Sequence, residues 1–328
     1  MTVLEAIQKS ADFLGKKGVE SSRLNAELLL AHQLKLPRMK LYLNFERVLT
    51  AAETDGYREL VKRRGLREPL QHIIGSTNFC GCEIAVSRHA LVPRPETEML
   101  AELGWQFLAE CRAPARLDGN PQPQPAEPVL AAPTALDFGT GTGCIAIALA
   151  LKCPAAKITA LDFSADALAL AKQNAAANKV TERVEFYQGD GFAALPVVAQ
   201  ASSLCVASNE LTGKMPVPLF NLIISNPPYI ASAEIATLEP EVKDFDPCVA
   251  LDGGVDGLDF YRRLAKESKA FLKADGKIMV EFGAGQADAI KKIFESEKWI
   301  VEAVQADYSH RARILIANSS SSSSSSSK

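Results

Sequence analysis

Long apolar runs are missing from this 328-residue chain. No stretch approaches the roughly 20 consecutive apolar residues that cross a bilayer, so no membrane-spanning helix is expected. The first residues, MTVLEAIQKSADFLG, intersperse acids and bases and hold no apolar segment of a secretory leader. The expected compartment is therefore the cytoplasm. A surplus of positive charge is missing too. Lys and Arg number 36 against 39 Asp and Glu, a formal net charge of −3. Proteins that coat a nucleic-acid backbone neutralise phosphates with excess Lys and Arg, so stable nucleic-acid binding is not expected. The four histidines are dispersed, and the seven cysteines, from Cys80 to Cys248, never fall at C-x-x-C. This pattern offers no metal site and no disulfide framework, and it reads as reduced thiols in a cytosol. No internal repeat of solenoid period occurs. What is present, 47% hydrophobic and 23% charged residues, is the composition of a globular protein long enough for two domains.

Residues 1–70 read as a small helical bundle. Leu24, Leu28 and Ala31 recur at helical spacing, and Thr50 with Glu53 forms a capping box ahead of Tyr57, Leu60 and Val61. Over residues 71–95, β-branched and aromatic residues broken by Gly75, Gly81, Pro93 and Pro95 predict a short strand pair linking two domains. From residue 96 a strand–helix alternation predicts a doubly wound, mostly parallel sheet. Strands are expected at 135–139, 157–162, 183–188, 221–225 and 277–282, and helices at 96–111, 144–152, 165–178, 258–274 and 286–296. Residues 300–306 and 311–317 read as two antiparallel strands at one end of the sheet, making seven. Segment 113–134, with six of the 18 prolines, and segment 197–218, without a period, read as surface insertions. Residues 319–328 read as a disordered serine tail.

In ALDFGTGTGCIAIALA a strand ends at Phe138 and runs into Gly139, Thr140, Gly141, Thr142 and Gly143 before a helix starts. Glycine is needed where a backbone turns sharply and admits a ligand with no Cβ in the way. Ligands of open α/β sheets bind at the carboxyl ends of strands. The spacing is G-x-G-x-G, which matches neither the dinucleotide turn nor the phosphate loop. Asp162 closes the second strand, 23 residues after Gly139, about where an acid grips a ribose diol in such folds. Asp190 follows the third strand. Helix capping is the competing reading of both acids.

NLIISNPPYI runs an apolar strand straight into Asn226, Pro227, Pro228 and Tyr229. The prolines cannot continue a ladder, and they push the residue before them out of the α region, so Asn226 is held rigidly at a strand end. Such a site suits methylation of a planar nitrogen, whose delocalised lone pair makes it a poor nucleophile. The Asn226 side-chain carbonyl and the Pro227 backbone carbonyl offer two acceptors for the N–H groups of an NH2 and for the charge developing on nitrogen. Tyr229 is placed to stack on the flat group.

The glycine turn, with Asp137 and Asp162, resembles that of the class I S-adenosylmethionine-dependent methyltransferases. In that family the turn packs against the methionine moiety, and the acid at the second strand end holds the ribose hydroxyls. Asn-Pro-Pro-Tyr after the fourth strand is shared by amino-methyltransferases acting on adenine N6, cytosine N4 and glutamine N5. Further segments are similar to the bacterial peptide chain release factor N5-glutamine methyltransferases, the HemK/PrmC family. They are RLNAELLLAH (23–32), REPLQHIIG (67–75), LVPRPETEML (91–100), EFGAGQ (281–286) and HRARILIA (310–317). The resemblance implies a Rossmann-like seven-stranded methyltransferase domain over 96–318, behind an N-terminal helical domain over 1–70 that recognises a protein substrate. It implies S-adenosyl-L-methionine held by Gly139 to Gly143, Asp162, Asp190, Gly191, Phe192 and Asn226, with Asn226, Pro227, Pro228 and Tyr229 catalytic. It implies methylation of the glutamine in the Gly-Gly-Gln motif of class I peptide chain release factors. A ribosomal-protein glutamine methyltransferase and a DNA adenine-N6 methyltransferase share the four catalytic residues and stand as alternatives. Family members often carry an aromatic directly after the acid at the third strand, where it shelters the adenine. Here Gly191 stands there, followed by Phe192, so either Phe192 takes the role or the adenine is less covered. Segment 93–98, with Arg94, reads either as a domain-linking turn or as a pocket wall, and Glu281 at the fifth strand end is equally open. Oligomeric state is not legible.

Overall fold

The structure, a computed structural model, describes residues 1–111, 132–195 and 219–319. The expected insertion at 197–218, most of that at 113–134, and the serine tail from 320 lie outside the described residues. The N-terminal region folds as helices α1 (Val3–Lys16), α2 (Ser22–Leu34), α3 (Arg38–Tyr42), α4 (Ala51–Gly65) and α5 (Leu70–Ile74). Two capping boxes start α1 and α4: Thr2 with Glu5, and Thr50 with Glu53. Each satisfies two backbone donors that a helix start leaves without partners. Ile7, Leu14, Leu29, Leu30, Leu41 and Tyr57 form the bundle core.

The buried face of α2 includes the expected Ala31 but departs from expectation at Leu24. Leu24 is 39% exposed, while Ala26, Leu29 and Leu30 are fully buried. Glu27 sits on the inward side because Arg23, Arg38 and Tyr42 all donate to its carboxylate. A fully hydrogen-bonded acid is tolerated inside, and its inward placement shifts the helix phase by a residue or two.

A hairpin of β1 (Ser76–Phe79) and β2 (Cys82–Ala85) and helix α6 (Pro95–Glu110) lead into the sheet. There follow β3 (Thr134–Phe138), α7 (Cys144–Lys152), β4 (Lys157–Asp162), α8 (Ala165–Ala177), β5 (Val184–Gln188) and β6 (Phe220–Ser225). After them come α9 (Pro240–Lys243), α10 (Asp259–Glu267), β7 (Leu272–Glu281), α11 (Ala287–Ser296), β8 (Ile300–Ala306) and β9 (Ala312–Asn318). The seven strands lie in the order β5-β4-β3-β6-β7-β9-β8. β3 to β7 run parallel, and β9 is antiparallel to both its neighbours. Successive residues of β6 face opposite cores: Leu222 and Ile224 pack with Leu100 and Leu149, and Ile223 with Tyr261 and Phe294.

The helix expected over 258–274 ends at Glu267. A 3₁₀ turn over Ser268–Phe271 follows, and β7 starts at Leu272, where the strand was expected from 277. The polar run Lys273–Lys277 hides this strand start from a hydrophobic pattern. Leu272, which pairs with Phe220, is buried and anchors it.

Chain order reverses between β3 and β6, and such a switch point opens a crevice at the strand ends. The glycine turn after β3 and the Asn-Pro-Pro-Tyr run after β6 border that crevice. The helical bundle is tied to the segment after β6 by ion pairs. Arg64 and Arg67 donate to Glu241 at 2.9 and 2.6 Å, and Arg67 also reaches Glu239 at 2.7 Å.

Candidate active site

The turn after β3 is fixed from beneath. Thr140 donates its hydroxyl to Asp137 Oδ2 at 2.6 Å, and the Ala146 N–H reaches the same oxygen at 3.1 Å. Asp137 is fully buried, and burial pushes its carboxyl up to about 7. The Gly139 and Thr140 N–H groups both donate to the Leu161 carbonyl, lashing the turn to β4. Gly139, Gly141 and Gly143 all have positive φ, and a Cβ on Gly139 would meet nothing within 4 Å. The backbone there opens onto empty space.

Asp162 crosses the crevice. Its Oδ2 accepts from the Gly141 N–H at 2.8 Å and its Oδ1 from the Ser164 N–H at 2.9 Å. Ser164, not Asp162, caps α8 through its hydroxyl. Burial raises the Asp162 carboxyl above its usual range. Asp190 caps no helix either; its carboxylate is paired with Arg263. Gly191 has φ +72°, a conformation that favours glycine, and a side chain there would displace the Arg263 guanidinium.

On the other side, Ser225 donates to the Phe138 carbonyl at 2.7 Å and locks the ends of β6 and β3 together. Asn226 Nδ2 then donates to Thr97 Oγ1, in the first turn of α6, at 3.1 Å. Its carbonyl oxygen Oδ1 is buried without a partner. Glu281, 3% exposed at the end of β7, lies beside Thr97 and Asn226, and its Oε2 is buried without a partner. Burial, with Glu96 nearby, pushes its carboxyl up to about 7, against the pull of Thr97, Arg313 and Asn226.

Two cavities meet here. One of about 560 Å³ is bordered by Gly139, Gly141, Asp162, Phe163, Asp190, Gly191, Asn226 and Pro228. The other, about 420 Å³, is bordered by Arg94, Glu96, Asn226, Pro227, Tyr229, Glu281 and Arg313. Leu91, Asn226 and Ala250 belong to both. Among the described residues no cluster of His, Cys, Asp and Glu is placed to hold a metal, and no helix is long and apolar enough to cross a membrane.

Known proteins carry the same two parts. Residues 5–75 match the PrmC N-terminal domain family, and residues 131–307 match a methyltransferase domain family. A release factor glutamine methyltransferase of Geobacter sulfurreducens is 37% identical, over 89% of this chain and 88% of its own. Those of Chlorobaculum tepidum and Cereibacter sphaeroides are 36% and 34% identical, with 94% and 98% of their own lengths matched and 94% and 97% of this chain. This chain belongs to the release factor glutamine methyltransferase family.

In this family member the residues singled out in the sequence divide into four groups. Gly139, Gly141, Asp162, Asp190, Gly191, Asn226 and Pro228 line the first cavity; Asn226, Pro227 and Tyr229 line the second. Thr140, Thr142 and Gly143 stand behind the turn: Thr140 and Thr142 are buried, and the Thr142 carbonyl accepts from Asn174. Phe192 borders neither cavity. It is 3% exposed, between the rings of Phe138 and Phe271, with centroids 5.1 and 4.6 Å away. Phe192 therefore contributes its ring to the core and not to the lining of either cavity. Segment 93–98 is a wall: Arg94 and Glu96 line the second cavity, and Arg94 reaches Asp246 at 3.1 Å. Sequence reasoning missed Phe163, 69% exposed on the first cavity directly after Asp162, although its position next to the acid was a usable signal. Thr97 fell within segment 93–98, but its bond to Asn226 had no local signal.

Proposed function

We propose that this methyltransferase transfers a methyl group from S-adenosylmethionine to the side-chain amide nitrogen of the Gly-Gly-Gln glutamine in class I peptide chain release factors. One observation carries the reading: Asn226, which borders both cavities, has a buried Oδ1 without a partner. A buried acceptor left unpaired costs roughly 1–3 kcal/mol, so it is best explained by a donor that arrives with the substrate. A primary amide brings an NH2 with two donors. Asn226 Oδ1 takes one, and the Pro227 carbonyl, which accepts from none of the described residues, takes the other.

S-adenosylmethionine supplies an electrophilic sulfonium methyl. The residues of the first cavity suit it. The bare backbone at Gly139 admits the methionine end, Asp162 keeps lone pairs for the ribose hydroxyls, and the exposed ring of Phe163 with Gly191 flanks the adenine end. In the second cavity, Asn226 and Pro227 hold the NH2 against rotation and stabilise positive charge as it develops on nitrogen. Tyr229 packs on the flat amide. The proton leaves after transfer, so no general base has to act first. A protein substrate is favoured over DNA because three carboxylates (Glu96, Glu234, Glu281) face two guanidiniums (Arg94, Arg313) in this cavity. That balance offers a phosphate backbone no net attraction.

The test offers labelled cofactor with a class I release factor, a ribosomal protein and duplex DNA in parallel. Label is expected on the release factor, and lost when its Gly-Gly-Gln glutamine is replaced. Asn226→Ala should lower kcat by roughly 10²–10³ with cofactor affinity nearly unchanged, since the contact strengthens as charge develops. Label on the ribosomal protein or DNA alone overturns the substrate assignment. Near-normal turnover by Asn226→Ala overturns the role of that residue.

A further inference from the structure

We propose that Glu281 is a positioning residue: together with Thr97 it fixes which end of the Asn226 amide faces the second cavity. The two ends of a primary amide are nearly identical in shape, so only hydrogen-bonding neighbours decide between them. An ionised carboxylate accepts and cannot donate, and a threonine hydroxyl has one proton to give. Asn226 Nδ2 donates to Thr97 Oγ1 at 3.1 Å, and both Thr97 and Asn226 draw down the carboxyl of the neighbouring Glu281, whose Oε2 is buried without a partner. The donors are assigned accordingly. Thr97 gives its proton to Glu281 and accepts from Asn226 Nδ2, and the NH2 end of Asn226 faces the pair. Turning the amide over would set its oxygen against the carboxylate. The carbonyl oxygen is left pointing away, buried and unpartnered.

Register creates this arrangement. Ser225 of β6 pairs with Val280 of β7, so the next residues, Asn226 and Glu281, lie abreast at the ends of two parallel strands. Helix α6 brings Thr97 over both. The charged and titratable groups facing Glu281 are Glu96 from α6, Arg313 from β9, Tyr229 after β6 and Tyr261 from α10. The Tyr261 hydroxyl binds the backbone carbonyl of Glu281 at 2.8 Å and leaves the carboxylate alone. Burial and Glu96 favour the protonated form; Arg313, Thr97 and Asn226 favour the ionised one. Protonated Glu281 gains a donor, so Thr97 and Asn226 are no longer compelled to donate to it. Because its carboxyl is pushed up to about 7, the lock weakens as pH falls through neutrality. The ionised form also places negative charge behind the nitrogen that becomes positive.

The inference rests on the proposed amide transfer for its consequence, but the orientation of Asn226 belongs to the free protein and is read without a substrate. In the full chain, the Asn226 side-chain NH2 resonances should titrate together with the Glu281 carboxyl between about pH 5.5 and 8.5, with a midpoint near the raised carboxyl value. The NH2 titration should vanish in Glu281→Gln. In turnover, Glu281→Gln should lower kcat by roughly tenfold to a hundredfold with both KM values nearly unchanged, and should remove the acidic limb of the kcat profile. Thr97→Ser, which keeps the hydroxyl, should lose far less than Thr97→Val. Wild-type kcat with an intact acidic limb in Glu281→Gln overturns the proposal, as do Asn226 resonances that ignore pH. If the wild type methylates no release factor while the coupled titration persists, the substrate reading fails and the lock stands.

Discussion

Replacing Asp162 separates the backbone clamp it forms from the ribose contact proposed for it. Each oxygen already accepts one backbone N–H, from Gly141 and from Ser164. A carboxylate oxygen has a second lone pair, so both can still receive ribose hydroxyls. Asp162→Asn keeps the shape, converts one oxygen to a donor and removes the charge. One backbone N–H of the clamp then faces an NH2, and hydrogen bonds to a charged acceptor are worth about 1.5–3 kcal/mol each. The melting temperature should therefore fall, whatever the ligand does. The loss of a charged acceptor for the ribose is of the same size, which weakens cofactor binding roughly tenfold to 150-fold. Calorimetry with S-adenosylhomocysteine measures the sum. A double-mutant cycle that pairs Asp162→Asn with a 2′-deoxy analogue isolates the ribose contact. The deoxy change should cost the wild type dearly and the variant little. A coupling energy near zero beside a lowered melting temperature would refute the ribose role and leave Asp162 as a clamp of the glycine turn.

Two further outcomes concern stability. The Asp137 carboxyl rises from 3.8 to about 7, so the folded state holds this proton more tightly than the unfolded chain. Its contribution is complete below about pH 4 and declines as pH rises through about 7, by on the order of 4 kcal/mol. Urea unfolding should accordingly show the advantage of wild type over Asp137→Asn shrinking from acid to mildly alkaline pH; parallel profiles would contradict the raised value. Glu241→Ala removes the acceptor shared by Arg64 and Arg67 and should cost roughly 1.5–3 kcal/mol, read as faster hydrogen exchange in α4 and α5. Exchange unchanged in those helices would show that the bundle is held by its other contacts.

The local patterns were the legible ones. A strand, a glycine turn and a helix are consecutive in the chain, so Gly139 to Gly143 could be located from spacing alone, and Asp162 from the strand that follows. Asn226 was legible because two prolines declare the strand end. The third member of its cluster was not: Thr97 lies 129 residues away and meets Asn226 only because α6 packs across the ends of β6 and β7. Glu281 stood at an expected strand end, yet its pairing with Asn226 depends on the register of two strands separated by α10. Phe192 looked like a cover for the cofactor because aromatics near that position are common in the family. Stacking with Phe138 and Phe271 draws the ring into the core instead. In α2, Leu28, Leu29 and Leu30 are consecutive, and such a run carries little phase information.

The two cavities share Leu91, Asn226 and Ala250, and none of these side chains is a nucleophile able to carry a methyl group. On the proposed reading, donor and acceptor approach this port from opposite sides, with no protein atom between them to receive the methyl. Transfer is then a single displacement along one line, and the methyl carbon turns inside out as it passes. A cofactor made chiral at that carbon with hydrogen, deuterium and tritium would deliver its methyl to the amide with inverted handedness.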